Sequence, residues 1–497
     1  MRPHSILTLA LSAALAACES DPAPPTNRPL DGAMPDAADA AELDVAVDAS
    51  GIDAAPEAAV DRPIPPDVAR TATEMERATQ RRACAFRAGQ FASETLGREV
   101  PLGRDIPIDH VLVLMMENRS FDHYFSRLPA RGVADVDVPA EGWSNPRADG
   151  TPVPRYHETQ RCVRDVAHAW VASHRQWNSG RNDGFVTTND PMGERGMGYF
   201  DEADIPFYYG LARRFAIGDR YFSSVMGPTW PNRFYMLGAT SFGITHNTPH
   251  PGDTAQTPAM HILRNLESAG LDWRDYAGDL RLMALFPHFG IVRRETFNHY
   301  RTQPQLMADL ARGDLPPFAF VEPRYAGNGA TRQDEHPPGT PQAGKRFVEG
   351  VVRALMASPA WGRTALFITY DEHGGFADHV PPPDACPPDA QGPLDENGAP
   401  RTTGSFSHYG FRVPFIVVSP YARPGFVSHA VYDHASILRF VEARFDLPAM
   451  TARDANATIP MDVFDFQGVP NRTPPTLPPG GYSEAAQEAC RVMFPSG

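Results

Sequence analysis

Four short, unbroken apolar runs, "HVLVLMM" (110–116), "PFAFVEP" (317–323), "ALFITYDEHGG" (365–375) and "VPFIVVSPYA" (413–422), constrain this chain most. Each is rich in β-branched and aromatic residues, too short for a helix and continuous instead of alternating, which is the pattern of strands buried on both faces. Amphipathic stretches such as "QAGKRFVEGVVRALMAS" (342–358) lie between some of them. Strands alternating with helices predict an α/β domain with a mostly parallel central sheet flanked by helices. In such sheets ligands sit beyond the carboxyl ends of the strands.

The remainder of the 497 residues divides by composition. Residues 1–18 read as an export signal: a basic start at Arg2, an apolar stretch too short to span a bilayer, and Leu15-Ala16-Ala17-Cys18, which resembles a bacterial lipobox. Cys18 is then the expected lipidation site, and the mature protein a cell-envelope lipoprotein, periplasmic or surface-facing, held to the membrane by its N-terminal lipid anchor. An ordinary cleaved signal and a secreted protein is the alternative.

Residues 19–70 are an Ala/Pro/Asp-rich linker with too few large apolar side chains to fold. Residues 19–66 carry eleven acids against two arginines, so −9 of the chain's net charge of −15 belongs to this tether and says little about a substrate. No basic run or basic-aromatic patch speaks for nucleic acid. The catalytic domain is expected over 71–466, beginning in a stretch of helical spacing at 71–97, with a Pro-rich tail at 467–497. Besides Cys18 there are Cys84, Cys162, Cys386 and Cys490. In an exported chain these suit two disulfides with three possible pairings, and none forms a Cys-x-x-Cys zinc motif.

The ends of the predicted strands hold the chemistry. Glu117 and Asn118 follow "HVLVLMM", and Asp371 and Glu372 follow "ALFITY". Two strands thus deliver three carboxylates and an amide to one sheet edge, where they repel one another unless a cation sits among them. Oxygen-only ligands favour one hard divalent ion, calcium, magnesium or manganese, over zinc. Read singly, the same acids are strand-end or helix-capping residues.

A third segment, "SSVMGPTWPNRFYMLGAT" (223–240), places Thr229 between prolines at the entry of a predicted helix. A hydroxyl there is either a helix cap or a nucleophile whose phosphoryl adduct the helix dipole stabilises. Histidines complete the set: His168 and His174 in "DVAHAWVASHRQWNSGRNDGF", which closes on Asp183, His336 in "RQDEHPP", and His373 beside Glu372. Near a metal they suit leaving-group protonation and phosphate binding.

In order, "ENRSFDHYF", "HRQWNSGRNDGF", "GPTWPNR", "QDEHPP", "ITYDEHGGFADHVPPP" and "FRVPFIVVSPYA" resemble the phosphoesterase family of bacterial and plant non-specific phospholipases C and acid phosphatases, over roughly residues 106–448. The resemblance implies an alkaline-phosphatase-like α/β sandwich. It places Glu117, Asn118, Asp371 and Glu372 on the metal positions, with Thr229 as nucleophile and further metal contact, and His168 and His336 near the phosphate. His174, Asp183, Asn232, His373 and Asp378 fall to supporting or substrate-binding roles. The implied activity is hydrolysis of phospholipids to diacylglycerol and a phosphorylated headgroup through a phosphothreonine. A phosphatase acting on small phosphate esters and a non-catalytic metal-dependent binding lipoprotein are the alternatives. The chain reads His-Gly-Gly where phosphatidylcholine-specific bacterial enzymes usually read Asn-Asp-Gly, so the resemblance does not extend to choline specificity. Oligomeric state is not readable.

Overall fold

The computed structural model describes residues 70–248, 261–281, 296–328 and 330–495. The signal, Cys18 and the linker up to residue 69 lie outside them.

Eight strands form the central sheet: β1 (His110–Met116), β2 (Ala216–Gly218), β3 (Trp273–Ala277), β4 (Tyr300–Thr302), β5 (Phe318–Val321), β6 (Thr364–Tyr370), β7 (Phe415–Val418) and β8 (Val427–Ser428). Their order is β8-β2-β7-β6-β1-β5-β3-β4. All neighbouring pairs are parallel except those made by β7, which runs antiparallel to β6 and β2. The four apolar runs became β1, β5, β6 and β7, with every residue of β5, β6 and β7 buried. Continuous apolarity follows from cover on both faces. That cover includes the helices Pro341–Met356 and His434–Phe445, whose buried sides join the strand side chains in one core.

The expected helical opening is shorter than its spacing implied. A helix Glu74–Arg82, capped by Thr73, stops where Cys84 adopts a φ of 53°. A β-carbon in the left-handed region cannot continue a right-handed helix. The cysteines pair as Cys84–Cys386 and Cys162–Cys490. The second bridge holds a helix, Glu484–Met493, within the proline-rich tail.

Candidate active site

β1 and β6 are paired in parallel with Met116 opposite Tyr370, so Glu117 and Asp371 leave adjacent strands in register at the carboxyl edge. The Asp371 N–H donates to the Met116 carbonyl (3.1 Å), and the Asn118 N–H donates to Asp371 Oδ1 (3.1 Å). Asn118 sits at φ 60°, where the amide side chain is among the few tolerated. Beyond Glu372 the chain turns through Gly374 (φ 63°) directly against the Asn118 carbonyl, 2.4 Å from where a β-carbon would lie. Only glycine fits both demands. The Gly374 N–H donates in turn to Glu372 Oε2 (2.7 Å).

Thr229 is the first residue of the helix Thr229–Gly238; Pro228 is the cap. Its side chain is 2 % exposed, and its Oγ1 has no hydrogen-bond partner among the described residues. A capping hydroxyl would accept from an N–H of the first turn, so the cap reading does not describe this side chain. Asn232 braces the turn: its Oδ1 accepts from the Val225 N–H (3.0 Å), and its amide donates to the Gly227 and Pro228 carbonyls (3.0 and 3.1 Å).

Arg233, one turn beyond Thr229 and so on the same helix face, reaches the strand-end acids. It lies 3.3 Å from Glu117 Oε1, 3.3 Å from Asp371 Oδ2 and 3.6 Å from Glu322 Oε2. Neither Arg233 nor Glu322 was anticipated. Glu322 obeys the strand-end pattern at β5 that marked the other two strands, and Arg233 stands at the i+4 position from Thr229. His434 was also missed; one ring nitrogen donates to the Asp371 carbonyl (2.8 Å), and the other shares a hydrogen bond with the Tyr221 hydroxyl (2.9 Å). Burial holds His434 down to about 3, so it is a neutral brace.

Even with one guanidinium present, the carboxylates are unbalanced. Burial pushes Glu117 well above the usual range against the pull of Arg233. Burial likewise lifts Asp371 to about 6, with Arg233 opposing and the Glu372 charge adding. Glu372 rises to about 7 through burial, opposed by His168. Glu372 Oε1 and Asn118 Oδ1 are buried with no hydrogen-bond partner among the described residues, as is Thr229 Oγ1. Unpartnered oxygens at the edge of an acid cluster are costly alone and fit a hard cation.

His168 stands beside them, Nδ1 against the Val166 carbonyl (2.6 Å) and Nε2 3.2 Å from Asn118 Nδ2 and 4.0 Å from Glu372 Oε1. Burial lowers its pKa, yet the Glu372 and Asp165 carboxylates outweigh that and lift it to about 9. A cation among the acids would cancel part of this field and lower the ring toward its ordinary range, where it can both give and take a proton. The His336 ring lies 5.5 Å from that of His168. Asp165, His168 and His336 have ligand atoms within 4.8 Å of one another, a group close enough to share an ion. The four residues first proposed as ligands are a separate, adjacent set.

The supporting residues are placed differently. His373 Nε2 donates to Gln176 Oε1 (2.8 Å), and its Nδ1 lies 3.2 Å from Glu372 Oε2. Asp378 pairs with Arg412 (2.8 Å), which also grips Asp122 (2.8 Å) in the short helix Phe121–Phe125, tying the two motif segments together. His174 packs on Trp170 and bonds its carbonyl (2.7 Å). Asp183 is partly exposed and pairs locally with Asn178 and Arg181. A cleft of about 480 Å³ opens beside His168 and Pro228 and is lined also by Asn247, His246, Glu396 and Arg401.

Residues 108–448 match the phosphoesterase family. Phospholipase C B of Mycobacterium tuberculosis is 33% identical to this chain over 445 residues, covering 78% of it and 84% of the relative. Non-specific phospholipase C6 of Arabidopsis thaliana is 32% identical, covering 78% and 79%. The hemolytic phospholipase C of Pseudomonas aeruginosa is 31% identical, covering 80% and 62%.

Proposed function

Since the chain belongs to the phosphoesterase family, we propose that it is a phospholipase C-type phosphoric ester hydrolase, cleaving phospholipids to diacylglycerol and a phosphorylated headgroup with Thr229 as nucleophile. The observation that carries the assignment of roles is the buried, unpartnered Thr229 hydroxyl at a helix entry. One turn later, Arg233 ties that same helix to the strand-end acids.

Glu117, Asn118, Asp371 and Glu372, with Thr229 Oγ1, are the groups that would hold one divalent cation. Such an ion supplies Lewis acidity, lowering the pKa of a nearby hydroxyl and offsetting charge on a phosphoryl group. Asn232 holds the Thr229 turn in place, and the helix dipole favours the anionic phosphothreonine that follows in-line attack. His168 and His336 carry protons: one to the departing alcohol oxygen, and one from the water that later frees Thr229. Asp165 and the Val166 carbonyl orient the His168 ring for that work.

The same reading covers residues outside the described range. The lipobox-like ending at Cys18 supports a lipid-anchored, exported protein, and two disulfides in the folded part agree with an oxidising compartment. Among the described residues no helix is long and apolar enough to cross a membrane.

The test compares phosphatidylcholine in mixed micelles with p-nitrophenyl phosphate, with and without chelator. Release of the phosphorylated headgroup, lost on chelation and reduced at least about 10³-fold in Thr229→Ala, is the expected result. Rapid monoester hydrolysis with intact lipid would make the protein a phosphatase. Full activity in Thr229→Ala would remove the covalent mechanism.

A further inference from the structure

We infer that Asn247 is a substrate-contacting residue, its side-chain amide donating to a phosphoryl oxygen of the bound ester. The inference rests on the esterase reading of this site.

Asn247 is 4 % exposed and lines the cleft that also meets His168 and Pro228, the residue before Thr229. Its orientation is set by one bond: Oδ1 accepts from the Trp230 N–H (2.9 Å). An N–H demands the oxygen, so the nitrogen is the atom that remains. Nδ2 is buried and has no hydrogen-bond partner among the described residues. A buried amide donor beside a nucleophile calls for an acceptor.

The neighbouring helix explains why such a donor is needed there. Helix entries usually offer their first free N–H groups to an anion. Here the Trp230 N–H is taken by Asn247, and Pro231 has no N–H to give. Asn247 hands the missing donor on: accepting from the helix at Oδ1 polarises the amide and strengthens Nδ2–H as a donor toward the cleft. The chemistry recognised is a tetrahedral oxyanion of phosphate type, present in lipid diesters and in small monoesters alike.

Two variants test this in the full-length protein with its divalent ion. Asn247→Asp keeps an oxygen for the Trp230 N–H and loses the donor; Asn247→Leu loses both. Both should cut kcat on phosphatidylcholine and on p-nitrophenyl phosphate by about 10²-fold, the usual effect of removing one preorganised donor. Both should also weaken orthovanadate binding at least tenfold, while only Asn247→Leu lowers the melting temperature. If either folded variant keeps wild-type orthovanadate affinity and turnover, Asn247 is only a helix cap and the inference is overturned. Loss confined to Asn247→Leu overturns it equally. A wild-type protein that hydrolyses neither ester refutes the esterase reading instead; orthovanadate affinity across the three proteins then still decides the contact.

Discussion

Arg233 lies within 4 Å of Glu117, Glu322 and Asp371 together, and it is 2 % exposed. Removing one partner of a buried ion pair leaves uncompensated charge, which costs about 3–5 kcal/mol. Arg233→Met should therefore lower the urea midpoint strongly in chelated protein and less when a divalent ion is supplied. An unchanged midpoint would show that Arg233 is not the counter-charge. Glu335 gives a second test. Its buried carboxylate accepts from the hydroxyls of Tyr124, Tyr208 (2.9 Å) and Tyr370 (2.7 Å), just before His336. Burial lifts it from 4.5 to about 7, with the tyrosine and Arg119 contacts opposing. Between those values the folded state keeps a proton that the unfolded chain has released, so stability falls as pH rises, by up to about 1.4 kcal/mol per pH unit. Glu335→Gln should remove that portion of the slope in urea titrations from pH 5 to 7. An identical slope would assign it to other groups.

The elements explain why acids from separate strand ends come together. β1 and β6 align Glu117 with Asp371, and the Gly374 turn lets Glu372 swing back beside Asn118. Gly374→Ala adds a β-carbon to a left-handed residue facing a backbone oxygen, at a cost of at least about 1–2 kcal/mol. It should also displace Asn118 and lower turnover tenfold or more. Gly350→Ala provides the contrast, because its β-carbon would enter open space in the helix Pro341–Met356. That change should stabilise by about 0.5–1 kcal/mol without altering turnover. Thermal melts and initial rates on the two variants check both outcomes; equal behaviour would mean the turn carries no positional demand.

At the scale of the whole molecule, the bridge Cys162–Cys490 joins residues 328 apart and fastens the C-terminal helix to the segment leading into His168. Losing a native disulfide typically costs about 2–5 kcal/mol. A Cys162→Ser/Cys490→Ser double variant should melt at lower temperature in calorimetry. An unchanged melt would show that the tail contributes nothing to global stability.

What the sequence determined by itself is local. An apolar run of strand length followed by paired acids, or glycines where the backbone must turn, is legible because the reason lies within a few neighbouring residues. The strands β1, β5, β6 and β7 and the placement of Glu117, Asn118, Asp371 and Glu372 at one edge were readable on that basis. The tertiary structure decided what depends on distant partners. β7 runs antiparallel although its apolar run looks like the others, since burial on both faces imposes the same composition in either direction. The disulfide pairing, the three-acid grip of Arg233 and the carbonyl held by His434 are likewise set by side chains brought together from far along the chain. No spacing encodes them, because each is decided by which groups are left without a partner once the core has closed.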